Sequence, residues 1–137
     1  MEIEHTREIA APLERLWALT VAVERWPTIT PTVTGVERLD EGALQVGSRA
    51  RLKQPGSPAR VWTVTQLEPQ RRFAWSTRVL GSKMTAVHEL EATETGTRNR
   101  LRVEVSAWLG FLLRRPIAQA LAAENEAFAR CAEGPDA

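Results

Sequence analysis

PIAQALAAENEAFARCAE, Pro116 to Glu133, is the stretch on which the reading of this chain turns. Stepped at about 100° per residue, Ile117, Ala120, Leu121, Phe128 and Cys131 fall on one side, with Gln119, Glu126 and Arg130 on the other. That is an amphipathic helix, and one residue breaks its pattern. Glu124 projects from the middle of the apolar stripe, between Ile117 and Phe128. An ionised carboxylate in an apolar seam is costly unless it is paired or reaches water. The expectation is a helix that closes a curved sheet, with Glu124 looking into a partly wet space between the two.

The sheet is read from what precedes the helix. Glu2–Ile9 alternates with period two, Ile3, His5, Arg7 and Ile9 on one face and Glu2, Glu4, Thr6 and Glu8 on the other. Pro12 opens a helix at proline's favoured first-turn position, with Leu13, Leu16, Trp17 and Thr20 as its buried side. A short piece, Val23–Trp26, ends at Pro27, and Pro31 keeps Thr28–Thr32 irregular. Trp26 beside these prolines reads as a plug against the sheet. Strands follow at 35–40, 48–54, 60–68, 71–80, 83–94 and 97–108, separated by turn-forming residues, which makes an antiparallel meander. If the Glu68-Pro69-Gln70-Arg71 loop pairs Leu67 with Arg72, then Trp62, Val64 and Gln66 share a face with Phe73, Trp75 and Thr77. Met84, Ala86, His88 and Leu90, then Leu101, Val103, Val105 and Ala107, continue that apolar face, and the opposite face is polar. Leu109–Arg115 reads as a lead-in, with Pro116 setting a kink or a restart.

Composition excludes several classes. The chain has 137 residues, 43% of them hydrophobic, and a formal net charge of +1, which fits one globular domain. Its 18 basic and 17 acidic residues are interspersed, so no nucleic-acid footprint emerges. The single cysteine, Cys131, allows no internal disulfide and reads as a small core hydrophobe. No Cys/His spacing suggests a metal, and no glycine-rich phosphate loop suggests a nucleotide. MEIEHTREI is acidic and strand-like rather than a signal peptide, and no apolar run reaches the roughly 20 residues of a membrane span. The expected compartment is the cytoplasm, with no stable membrane insertion.

The order of elements, strand, two short helices, six strands and a long helix, resembles the START-like superfamily (SRPBCC). The phrases are most similar to its polyketide cyclase/dehydrase branch. They are the IxAPxxxLWxLxxxVExWPxxxP pattern from Ile9 to Pro31, VGSRARLKQPG (46–56), VWTVTQLEP (61–69), FAWSTR (73–78) and AENEAF (123–128). The resemblance spans essentially the whole chain. It implies an α+β helix-grip fold, a curved antiparallel sheet wrapped around a long C-terminal helix, with a cavity between them for small apolar or amphipathic molecules. Fold alone does not choose among the carriers, cyclases, hydrolases and regulatory partners that the superfamily hosts.

His88 and Glu124 are the candidate catalytic or polar anchoring groups, as acid and base or as hydrogen-bonding partners of a ligand. The bland alternative is a core histidine satisfied by its neighbours and a carboxylate that locks helix to sheet. Trp26, Trp62, Phe73, Trp75, Thr77, Met84, Leu121 and Phe128 are the candidate ligand-binding wall, with core filling as the alternative. Trp17 is assigned to the core. Arg49, Arg51 and Lys53 form a solvated strand face, and the QPGSP tip (54–58) is either a cavity gate or only a turn. Three functions follow. The favoured one is a carrier or sensor of a small hydrophobic or aromatic ligand, without metal or cofactor. The others are a cyclase/dehydratase-like enzyme using His88 and Glu124, and a homodimeric interaction module with a collapsed cavity.

Overall fold

The computed structural model describes residues 1–135. Strand β1 (Glu2–Ile9) leads to helix α1 (Leu13–Val21), capped by Pro12, then to a 3₁₀ turn (Val23–Arg25) and α2 (Trp26–Ile29). Six strands follow: β2 (Gly35–Arg38), β3 (Arg49–Lys53), β4 (Arg60–Glu68), β5 (Arg72–Val79), β6 (Ser82–Ala92) and β7 (Thr97–Val105). The chain ends in α3 (Ala107–Glu133). The seven strands make one curved antiparallel sheet in the order β1-β7-β6-β5-β4-β3-β2. The first two strands of the sequence therefore form its opposite edges, and α1 and α2 carry the chain between them. This is the expected helix-grip architecture.

The inner face is apolar because strand alternation sends large side chains there. Phe73, Trp75, Leu101 and Val64 are each at most 2% exposed. On the outer face, charge is paired across strands. The Glu89 carboxylate accepts from Arg72 on β5 at 2.7 Å and from Arg102 on β7 at 2.5 Å. On β3, Arg49, Arg51 and Lys53 point to solvent while Ala50 and Leu52 are buried, as the alternation requires.

Four local expectations need correction. Helix α3 begins at Ala107 and runs through Pro116, so the lead-in is its first two turns and β7 stops at Val105. The carbonyl that Pro116 leaves without a helical donor belongs to Leu112, an exposed residue, so water can satisfy it. Pro27 occupies the first turn of α2 instead of ending a helix there; its missing N–H is an orphan at that position in any case. The β4–β5 register shifts at a bulge between Val64 and Gln66, which pairs Leu67 with Phe73 and turns Gln66 outward. Trp17 is only half-buried against the core, and Leu19, at 2% exposure, takes the interior place on α1.

Helix α3 packs chiefly on β1 and β7. A buried amide fixes that contact. Asn125, fully buried, donates to Nδ1 of His5 at 3.0 Å and to the Asn99 carbonyl at 3.2 Å, and accepts from the Asn99 side chain at 2.9 Å. Alternation along the strands singles out His88 as the inward histidine, but His5 faces the helix as well. At the β6–β7 tip, Gly96 lies against the Ile9 carbonyl with φ +159, and a Cβ there would run into that oxygen.

Asn125→Leu would strand the polar groups of His5 and Asn99 in the interior. Urea unfolding should show a loss of about 2–3 kcal/mol. A loss below roughly 0.5 kcal/mol would mean that the network contributes only geometry.

Candidate ligand groove and the buried acid behind it

Because α3 lies over the β1–β7 side, the interior between it and strands β3–β6 is filled in two different ways. The deep part is solid. Trp26 reaches in from α2 and meets Phe73, Trp75, His88 and Phe128, with ring centroids 6.2, 5.2, 5.4 and 5.9 Å away. Its indole N–H donates to the Leu19 carbonyl at 3.3 Å. These edge-on and tilted rings form one cohesive block.

Beyond this block the space opens into a groove of about 680 Å³. Its floor and walls are Trp62, Val79 and Met84 from the sheet and Leu113, Ile117 and Ala120 from α3. The rim comes from Pro31 and Thr32, from the Gln54–Ser57 loop and from Leu80. Among the described residues, Arg60 is the one charged side chain that lines it. The indole nitrogen of Trp62 is buried there without a hydrogen-bond partner among the described residues.

Of the eight wall candidates, Trp62 and Met84 line this groove. Trp26, Phe73, Trp75 and Phe128 sit in the aromatic block behind it, and Leu121 belongs to the same buried core. Thr77 spends its hydroxyl on the Val61 carbonyl at 2.7 Å. The sequence reading overlooked Thr32, Arg60 and the first half of α3. Ile117 and Ala120 were already visible on the apolar stripe, whereas nothing local marks Thr32 or Arg60.

His88 and Glu124 are brought together. The β5–β6–β7 register sets His88 between Phe73 and Leu101, in mid-sheet. Its Nε2 stands 3.6 Å from Oε1 of Glu124, and the two residues are 4% and 9% exposed. Glu124 Oε2 lies 3.5 Å from the Thr32 hydroxyl, so Thr32 links the acid to the groove. Burial pushes the Glu124 carboxyl up to about 7 against the opposing pull of the Thr32 hydroxyl. Burial alone pushes the His88 imidazole down to about 4. Between these values both groups are neutral, and a separation beyond hydrogen-bond length agrees with that. The pair leaves no room for a substrate atom between its members. Among the described residues no group of three or more His, Cys, Asp or Glu side chains is placed to hold a metal.

The two shifts act oppositely on stability. A raised Glu124 favours folding most below about 4.5, and that contribution is lost as pH rises to about 7. A lowered His88 favours folding above 6.5, and that contribution is lost as pH falls to about 4. Between pH 4.5 and 6.5 they offset each other. Relative to the unsubstituted protein, Glu124→Gln should therefore lose stability on acidification across that window, and His88→Gln should lose it on alkalinisation, each by on the order of 1–3 kcal/mol. Urea midpoints measured across the window check both signs; parallel profiles for all three proteins would refute the assignment.

The chain was then compared with known proteins. Residues 1–133 match the family model described as polyketide cyclase / dehydrase and lipid transport. A search of the curated proteins finds no match. Among solved structures, protein MLL2253 from Mesorhizobium loti superposes with a TM-score of 0.77 at 15% identity, over 95% of each chain. Major latex-like protein 151 from Panax ginseng gives 0.77 at 8% identity over 98% of each chain. The di-domain ARO/CYC StfQ of the steffimycin biosynthetic pathway gives 0.78 at 14% identity, over 96% of this chain and 50% of that one. At these identities the structural likeness speaks for the fold alone. The sequence match carries the further conclusion that this chain belongs to the polyketide cyclase/dehydrase and lipid transport family.

Proposed function

We propose that this protein binds a small hydrophobic or amphipathic molecule, with its apolar body in the groove and a polar or anionic end at Arg60, as a carrier or sensor. The observation that supports this is the groove itself: about 680 Å³, with an apolar floor and, among the described residues, one charged side chain, Arg60, in its lining. That volume suits a small-molecule site, and few polar groups suffice to orient a ligand in it. A void of this size argues against a module with a collapsed cavity.

An enzyme of the cyclase or dehydratase type is the second reading, and one observation favours it. Glu124, whose proton is held to about pH 7, is joined through Thr32 to the groove. Against it, His88 and Glu124 face each other too closely to work from two sides of a substrate.

Native mass spectrometry of the purified protein should reveal a co-purifying small molecule. Ala120→Phe, which fills the groove, should weaken binding of the apolar probe 1-anilinonaphthalene-8-sulfonate at least about tenfold, since the probe loses most of its buried surface. Arg60→Gln should weaken that anionic probe about three- to tenfold and leave a neutral probe unaffected. Under the carrier reading Glu124→Gln keeps probe affinity within about threefold. Undiminished binding to Ala120→Phe would remove the groove from consideration.

A further inference from the structure

The first turns of α3 present an apolar surface that the core does not use. Trp108, Phe111 and Leu112 are 56%, 76% and 63% exposed. Their spacing puts them on one face of the helix, while Leu109, fully buried, faces the sheet. Leu80, 68% exposed with a left-handed φ of 51°, stands at the β5–β6 turn. It lines the groove mouth together with Leu113, the next residue along the helix from Leu112. Between Glu104 and Glu124 the chain has no acidic residue, and its only charges are Arg114 and Arg115, both exposed.

We propose that this face docks on the surface of an anionic lipid bilayer. Trp108, Phe111 and Leu112 enter the headgroup region, Arg114 and Arg115 contact lipid phosphates, and the groove mouth turns toward the bilayer. Tryptophan and phenylalanine suit that depth because one end of the surroundings is apolar and the other wet. Two exposed arginines that make no ion pair among the described residues add attraction to a negative surface. A second copy suits this face less well, because Trp108, Phe111, Leu112 and Leu80 are too few to supply the roughly 800 Å² per partner of a standard interface. The docking proposed is peripheral; among the described residues no helix is long and apolar enough to cross a membrane. This docking does not depend on what the groove binds.

Co-sedimentation with vesicles of phosphatidylcholine, with and without phosphatidylglycerol, tests it. The protein should bind only the phosphatidylglycerol vesicles, and less at high salt. Trp108→Ser/Phe111→Ser and Arg114→Glu/Arg115→Glu should each weaken binding at least about tenfold, with melting temperatures unchanged because all four side chains are exposed. Sedimentation equilibrium is run alongside. Absence of binding to phosphatidylglycerol vesicles, variants that bind as well as the unsubstituted protein, or a dimer that Trp108→Ser/Phe111→Ser dissociates would each overturn the proposal.

Discussion

Trp26 is the contact on which the rest of the interior depends. It enters from a four-residue helix too short to hold itself, and touches the sheet through Phe73 and Trp75 and the long helix through Phe128. One large side chain therefore ties together three elements that are far apart in sequence. An indole pinned by a hydrogen bond to Leu19 cannot slide out without leaving a buried donor unpaired. Where Trp26 and its neighbours fill the interior, packing is solid; where they end, the groove begins.

That boundary accounts for the behaviour of the two inward ionisable groups. His88 lies against the aromatic rings, which strip it of water and keep it neutral. Glu124 sits across from it, one helical turn from the groove-lining Ala120, and accepts from Thr32 on the rim. Two titratable groups that would be costly as ions are tolerable here because both can be uncharged at once. The Asn125–His5–Asn99 network joins helix to sheet at the β1–β7 side through hydrogen bonds.

Much of this was legible in the residues. Period-two alternation and turn residues located the strands, although β7 stops at Val105 rather than 108, and the helical stripe with Glu124 inside it pointed to an acid beneath a sheet-covering helix. Depth along a strand was not legible. Alternation reports which face a side chain takes, not whether it lies in the packed or the open half, so Phe73 and Trp75 looked like pocket wall although they belong to the block. The β4 bulge did leave a trace: the apolar positions change parity from Trp62 and Val64 to Leu67. Pro116 misled because a proline normally interrupts a helix, and only tertiary placement shows that the freed Leu112 carbonyl is on the wet side. Asn125 gave no warning at all, since its partners come from strands 26 and 120 positions away.

The division of labour between block and groove has an evolutionary reading. The side chains that hold the domain together are largely separate from those that border the opening, many of which come from turns and from the forward half of the terminal helix. Substitutions at the border can then accumulate with little thermodynamic penalty while the scaffold persists. A TM-score of 0.77 at 8% identity shows how little of the sequence that fold prescribes.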